Sequence, residues 1–429
     1  MRWHLSLGLG LTLLAGACAA PGPASSGSGA GSSGVEGEET TRKDEITDVT
    51  PPPPVQQSIG NCWVFATNAW VESMSARPPG AVPVDLSEAY VSFLYWLDQI
   101  SAPPQPFTRG QVFMLRPTGS WGIAADLLTR FGWMSEAKFL NVVSTGTFAD
   151  RHQAAFQTMQ NELAHGALTT PAARADRQLV AETLVKAWNL DLAVVTELTK
   201  AFGESFDRDL QNGQATIEGT RIHRLDEITV GWGVAGERVS AQDLFGSLPK
   251  GEDPFTGKRT GPYAYSDIKP PGSEDKIRHY LRRVQKSLNQ DLPVVMSETS
   301  DDRNLDANGT YRKPADGQLS DQWYDHAVMV FDLSVMTTQY GLLPAGTKAQ
   351  PAALEATLLD DSQVLTLRAR NSYWGRYADG SVIPFAGGIA VNDYAIEYLL
   401  WRPNYAGPRM WMRTTIPNVE DVVILKAAP

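Results

Sequence analysis

The chain has 429 residues, of which 42% are hydrophobic and 20% charged, and its formal net charge is −11. This composition is typical of a folded globular protein and excludes an intrinsically disordered one. The acidic balance argues against a nucleic-acid-binding protein, because such proteins need a basic surface to neutralise phosphates.

Residues 1–18 are predicted to be a secretory signal. Arg2 precedes an apolar run from Leu5 to Ala15 that is too short to span a membrane, and small residues follow it. The segment Leu14–Cys18 also resembles a bacterial lipobox, in which Cys18 would be lipidated and become the first mature residue. Ordinary cleavage after Ala17 is the alternative. Either reading predicts export to the periplasm, outer membrane or cell surface, with membrane contact only through an N-terminal lipid.

Residues 19–54 are predicted to be a disordered linker, because Gly, Ser, Pro and charged residues there cannot support a core. A folded domain is expected over 55–429. Its first helix is predicted over 61–76, with Asn61 as a possible cap, and the stretch "DLSEAYVSFLYWLDQI" predicts a second. The stretch "SWGIAADLLTRFG" predicts a third helix that ends at Gly132.

After the third helix, the sequence pattern is first that of more helices and then that of strands. Long amphipathic stretches predict a large helical insertion over about 141–290. After it, short alternating segments such as "LPVVMSE", "DHAVMVFDLSV" and "SQVLTLRARNSY" are typical of strands. Helices followed by strands predict an α+β fold in two lobes.

Cys62 is the first candidate for chemistry. At the start of a helix, unpaired N–H groups and the positive end of the helix dipole favour a thiolate, and a nearby imidazole would lower the thiol pKa further. A small buried hydrophobic residue is the alternative role for a lone cysteine.

The segment "GNCWVFA" around Cys62 resembles the nucleophile segment of papain-like cysteine peptidases. The resemblance implies that Gln56, six residues earlier, supplies an oxyanion donor together with the backbone N–H of Cys62. It also implies a helical lobe that carries the nucleophile and an antiparallel, β-barrel-like lobe that carries a histidine and an asparagine.

His326 in "YDHAVMVFDL" resembles the family's general base, and Asn371 in "RARNSYWG" resembles the asparagine that orients it. Here Tyr373 is inserted before Trp374, which departs from the family pattern. The other histidines of the folded domain lie in polar or helical contexts and are predicted to be surface or helix residues: His152, His165, His223 and His279.

Within the family, the resemblance is to the bleomycin hydrolase branch. "SIGNCW" is similar to that branch's nucleophile segment, and the long insertion also fits it. The segment Gly119–Trp121 resembles the branch's substrate-binding stretch, so Gly119, Ser120 and Trp121 are candidate substrate contacts. For Gly119, a plain turn before a helix is an equal alternative.

The sequence therefore predicts an exported cysteine peptidase that acts on peptides or proteins through an acyl-enzyme. Neither a metal nor another cofactor is expected. A cell-wall amidase or transpeptidase with the same residues and a non-catalytic surface module on the same fold are the alternatives.

Overall fold

The computed structural model describes residues 49, 51–53, 55–76, 83–101, 108–109, 112–140, 145–232, 237–247, 250–252, 259–262, 266–268, 281–282, 284–285, 287–288, 292–306, 308–317, 324–347, 349–372, 391–401 and 412–414. The predicted signal and most of the predicted linker lie outside these residues. Within them, no helix is long and apolar enough to cross a membrane.

Helices make up most of the described chain before residue 203. The α-helices are α1 (Cys62–Ser75), α2 (Glu88–Ser101), α3 (Trp121–Phe131), α4 (Glu136–Phe139), α5 (Thr145–Ala164), α6 (Pro171–Ala175), α7 (Arg177–Trp188), α8 (Leu192–Phe202), α9 (Ala241–Ser247), α10 (Pro351–Thr357) and α11 (Ile396–Leu400). Short 3-10 turns cover Leu225–Glu227 and Asp302–Asn304.

The main sheet contains strands from the second half of the chain. The strands of the fold are β1 (Thr108–Arg109), β2 (Val112–Phe113), β3 (Thr229–Trp232), β4 (Glu237–Ser240), β5 (Lys250–Glu252), β6 (Arg259–Pro262), β7 (Ser266–Ile268), β8 (Val294–Ser300), β9 (Thr310–Tyr311), β10 (Tyr324–Thr337), β11 (Gly341–Leu343), β12 (Gln363–Arg370), β13 (Val391–Ala395) and β14 (Met412–Thr414). Eight of them form the sheet in the order β7-β14-β8-β10-β12-β13-β9, with β11 paired to β10. All these pairs are antiparallel except β13 with β9, so the sheet is mixed.

Helix α1 is the central helix of the core, and all 14 of its residues are buried. Trp70 ties it to the sheet, because its Nε1 donates a hydrogen bond to the carbonyl of Pro293 at 2.7 Å. Asn61 precedes the helix, but its side chain makes no capping hydrogen bond. Its Nδ2 instead donates to Ser92 Oγ on α2 at 3.1 Å, so the predicted capping role of Asn61 is wrong.

Strand β10 is buried on both faces, because side chains alternate between two hydrophobic clusters. Ala327 and Met329 belong to the cluster around α1. Val328 and Val330 belong to a second cluster, which also contains Tyr394. The end of β10 that carries His326 therefore lies where the helical cluster and the sheet meet.

The predicted α+β class is confirmed as helices with a mixed sheet. The predicted insertion is helical as far as Phe202. Beyond that residue it contains the hairpins β3–β4 and β5–β6 as well as helix α9 and helical residues within 281–288, and the bounds of the insertion stay a prediction. The expected antiparallel character fails at the β13–β9 pair, and the two-lobed arrangement stays a prediction.

Candidate active site

Cys62 is the first residue of α1 and is 8% exposed. Its sulfur accepts hydrogen bonds from the backbone N–H groups of Ala327 and Trp63. Ala327 directly follows His326 on β10. The fold thus brings the thiol beside the strand residue next to that histidine, although 264 positions separate Cys62 from His326.

Asn371 lies directly after β12, next to the end of β10 that carries His326. The ring Nε2 of His326 and the side-chain Oδ1 of Asn371 are 2.7 Å apart, and both residues are buried. An amide oxygen can only accept, so Nε2 carries the proton in the neutral ring. The other ring nitrogen, Nδ1, is then the one with a lone pair that can take a proton.

Burial makes the pair neutral. Burial, with smaller contributions from the negative charges of Glu298 and Asp325, raises the pKa of the Cys62 thiol from 9.0 to about 12, although the two backbone hydrogen bonds lower it. Burial lowers the pKa of His326 from 6.5 to about 4, and the hydrogen bond that the ring donates to Asn371 opposes this by favouring the cation. The thiolate expected at a helix start is therefore not the resting form, because desolvation outweighs the helix terminus.

Gln56 and Gln57 lie in the extended segment before α1. Gln57 is buried against Ser372: its backbone N–H donates to the Ser372 carbonyl at 2.9 Å, and Ser372 Oγ donates to Gln57 Oε1 at 2.7 Å. Gln56, the predicted oxyanion donor, is partly exposed. The pairing of Gln57 with Ser372 holds this segment beside the residue that follows Asn371.

The predicted substrate-binding stretch has three different environments. A Cβ on Gly119 would lie 2.5 Å from Cε2 of Trp63, so only glycine fits against that ring. Ser120 caps α3, where its side chain accepts from the Ile123 N–H. Trp121 is buried in the core and packs against Trp70 at a ring-centroid distance of 5.7 Å.

Four residues with a prediction from the sequence lie outside the described part of the chain: Cys18, His279, Tyr373 and Trp374. Among the described residues, no group of three or more His, Cys, Asp or Glu side chains could hold a metal ion.

Sequence reasoning missed Asn392 on β13. Its Oδ1 accepts a hydrogen bond from Asn371 Nδ2 at 2.9 Å, and it is 1% exposed. The available signal was an uncharged polar residue that directly follows the apolar residues of "GGIAVND", a segment with the pattern of a strand.

His152 lies in helix α5, in agreement with the expectation of a surface or helix residue, and it is fully buried. Its Nδ1 is 3.3 Å from Asn61 Nδ2, next to the nucleophile candidate. Burial lowers the pKa of His152 from 6.5 to about 3.

A group of acidic side chains behind the site, here named the carboxyl cluster, was not anticipated either. Its members are Glu72, Asp85, Glu88 and Glu136. Burial raises the pKa of Glu72 to about 7 and that of Glu136 to about 8, and it also raises the pKa of Glu88. The buried guanidinium of Arg370, the residue before Asn371, opposes these shifts at Glu72 and Glu88.

Comparisons with known proteins found no matching family model and no matching curated protein. Solved structures with a similar chain path include PepW from Lactobacillus rhamnosis HN001, with 10% identity, a TM-score of 0.37, and coverage of 87% of this chain and 82% of that one. Another is xylellain, a cysteine protease from Xylella fastidiosa, with 11% identity, a TM-score of 0.34, and coverage of 88% and 85%. A third is SERA5E from Plasmodium falciparum, with 11% identity, a TM-score of 0.30, and coverage of 88% and 93%. Similarity this low does not assign the chain to a family.

Proposed function

We propose that this chain is an exported cysteine peptidase in which Cys62 is the nucleophile, His326 the general base and Asn371 the residue that orients the imidazole. One observation carries the proposal. The buried His326–Asn371 hydrogen bond leaves Nδ1 as the basic nitrogen, while the sulfur of Cys62 is held by the backbone of the residue after His326.

Because Cys62 and His326 are both neutral before substrate binds, proton transfer is part of the nucleophilic attack. The S–H proton moves to His326 Nδ1 as the sulfur attacks the peptide carbonyl, so no thiolate has to accumulate in the buried site. The hydrogen bond from the ring to Asn371 favours the imidazolium that forms, because it raises the pKa of His326.

The carbonyl oxygen becomes an oxyanion in the tetrahedral intermediate. The backbone N–H of Cys62, at the first turn of α1, and the side-chain amide of Gln56 are the proposed donors. The imidazolium then gives its proton to the leaving amine, and an acyl-enzyme remains. Water activated by His326 hydrolyses the thioester and restores the thiol.

The proposed substrates are peptides or proteins, which the segment Gly119–Trp121 would help to bind. The proposed location is the periplasm, outer membrane or cell surface. In this proposal Cys18 carries a lipid or is removed with the signal, and no metal or other cofactor takes part.

The decisive experiment profiles the purified protein on a peptide library with free and blocked amino termini, with and without a thiol alkylator. Cys62→Ala should reduce hydrolysis to background and abolish active-site labelling. Cys18→Ser is the matched control and should cleave the same peptides as the wild type.

Two outcomes would contradict the proposal. Hydrolysis that persists in Cys62→Ala would exclude the thiol as nucleophile. Hydrolysis of purified peptidoglycan without cleavage of any simple peptide would favour a cell-wall amidase or transpeptidase.

A further inference from the structure

Asn392 extends the hydrogen bonds of the candidate site by two links. Asn371 Nδ2 donates to Asn392 Oδ1 at 2.9 Å, and Asn392 Nδ2 donates to the carbonyl of Gly309 at 3.1 Å. Asn392 and Asn371 are each 1% exposed, and His326 is 3% exposed. These bonds form a buried row across three strands, since His326 is on β10, Asn371 follows β12 and Asn392 is on β13.

The last acceptor of the row is fixed by the backbone. Gly309 has φ of +79°, a conformation that glycine adopts readily and other residues rarely do. Its N–H donates to the Asp306 carbonyl at 3.0 Å, and its own carbonyl also accepts from the Asp393 N–H at 3.1 Å. This turn cannot rotate without breaking those bonds.

A carbonyl can only accept a hydrogen bond, so it imposes a direction on every group that follows. Asn392 must turn its NH₂ group towards Gly309, which leaves its oxygen facing Asn371. Asn371 must then turn its NH₂ towards Asn392, which leaves its oxygen facing His326. The ring of His326 must therefore carry its proton on Nε2.

Without such an anchor, the side chain of Asn371 could face the ring with either its oxygen or its nitrogen. With the nitrogen inward, the ring would accept at Nε2 and carry its proton on Nδ1. In that tautomer Nδ1 has no lone pair with which to take the proton of Cys62, because its lone pair is on Nε2.

We propose that Asn392 is a positioning residue: it presents an acceptor, fixed by the Gly309 carbonyl, that holds Asn371 with its oxygen towards His326 and so sets the tautomer of the imidazole. This inference deepens the proposed function and rests on it for its catalytic meaning. The direction of the hydrogen bonds can be measured without any activity.

Two variants separate the loss of the hydrogen-bond acceptor at position 392 from the general effect of a substitution on the structure. Asn392→Leu removes the acceptor. Asn392→Asp keeps an acceptor for Asn371 Nδ2, but it loses the donor to the Gly309 carbonyl and buries a charge. The tautomer of His326 is read by ¹⁵N NMR on histidine-labelled protein, with its signal identified as the one lost in His326→Gln. Asn68→Leu is the control, because buried Asn68 also donates to a backbone carbonyl, that of Leu86, away from the row.

Asn392→Asp and Asn68→Leu should keep the proton of His326 on Nε2, although both destabilise the fold. Asn392→Leu should give a mixture of tautomers and lower kcat about fivefold to tenfold, the scale of one lost hydrogen bond, with KM little changed. An unchanged tautomer in Asn392→Leu, or equal mixtures in the Leu and Asp variants, would overturn the inference. If the tautomers respond as expected but the wild type cleaves no peptide, the proposed function fails while the positioning role of Asn392 stands.

Discussion

Replacing Glu136 by glutamine tests whether this member of the carboxyl cluster is held in its protonated form. Glu136 Oε2 accepts from the Ala89 N–H at 3.5 Å, and a glutamine oxygen can keep that contact. The residue is partly exposed, but its Oε1 is buried, and burial raises the pKa of Glu136 from 4.5 to about 8. The folded protein therefore holds a proton that the unfolded chain gives up as the pH rises through about 4.5.

The size of the effect follows from linkage. Below pH 4.5 both states are protonated, so the stabilising contribution is fully present. Each pH unit between 4.5 and about 8 then costs the wild type about 1.4 kcal/mol of unfolding free energy, which sums to at most about 5 kcal/mol. Glu136→Gln has no proton to lose, so we expect it to match the wild type at the acid end and to exceed its stability at pH 8 by up to that amount.

Urea unfolding over this pH range measures the difference. Glu355→Gln is the matched control, because it makes the same substitution at an exposed position on α10, where a surface change has little effect on stability. Parallel curves for Glu136→Gln and the wild type would refute the reasoning, since they would mean that Glu136 ionises alike in the folded and unfolded chains.

Three further predictions concern the site and its surroundings. Because the pKa of His326 is lowered to about 4, kcat/KM should stay high down to about pH 4 and fall below it, and a loss of activity already near pH 6.5 would contradict a buried neutral base. Gly119→Ala should lower the free energy of unfolding in urea by about 1–3 kcal/mol, because its Cβ would overlap Trp63. Gly60→Ala should be tolerated, because its Cβ would have ordinary contacts at 3.5 and 3.6 Å. Equal losses of stability in the two variants would contradict the packing argument. The stability provided by neutral His152 is present above pH 6.5 and is lost as the pH falls towards about 3. His152→Leu should therefore shift the midpoint of acid unfolding to lower pH. An unshifted midpoint would argue against a buried neutral ring.

The elements that sequence patterns predicted well are those whose signals are local. The helix expected over 61–76 is found as Cys62–Ser75, and the helix expected to end at Gly132 ends at Phe131 with Gly132 as its cap. In both cases a run of apolar residues lies within one segment, and Gly132 also marks the end of its helix, so neighbouring residues were enough to predict the element.

The features that the sequence could not predict arise from contacts between distant segments. Glu72 and Glu88 look like ordinary helix charges in the sequence, and they become buried only in the packed fold, where α1 lies against α2. The pKa of Cys62 depends in the same way on the strand that covers it, because a helix start by itself would favour the thiolate. Asn392 gains its contact with Asn371 only when β13 pairs with β12.

The hydrogen bond between Gln57 and Ser372 joins positions 315 residues apart. A chain still being synthesised holds Cys62 from early on, yet it cannot close this contact until Ser372 has been added. The thiol and its histidine–asparagine partners therefore come together only after this later part of the chain has been made. A chain that stops before Asn371 would contain the cysteine but not the hydrogen bond between His326 and Asn371, so the proposed active site can form only in the longer chain.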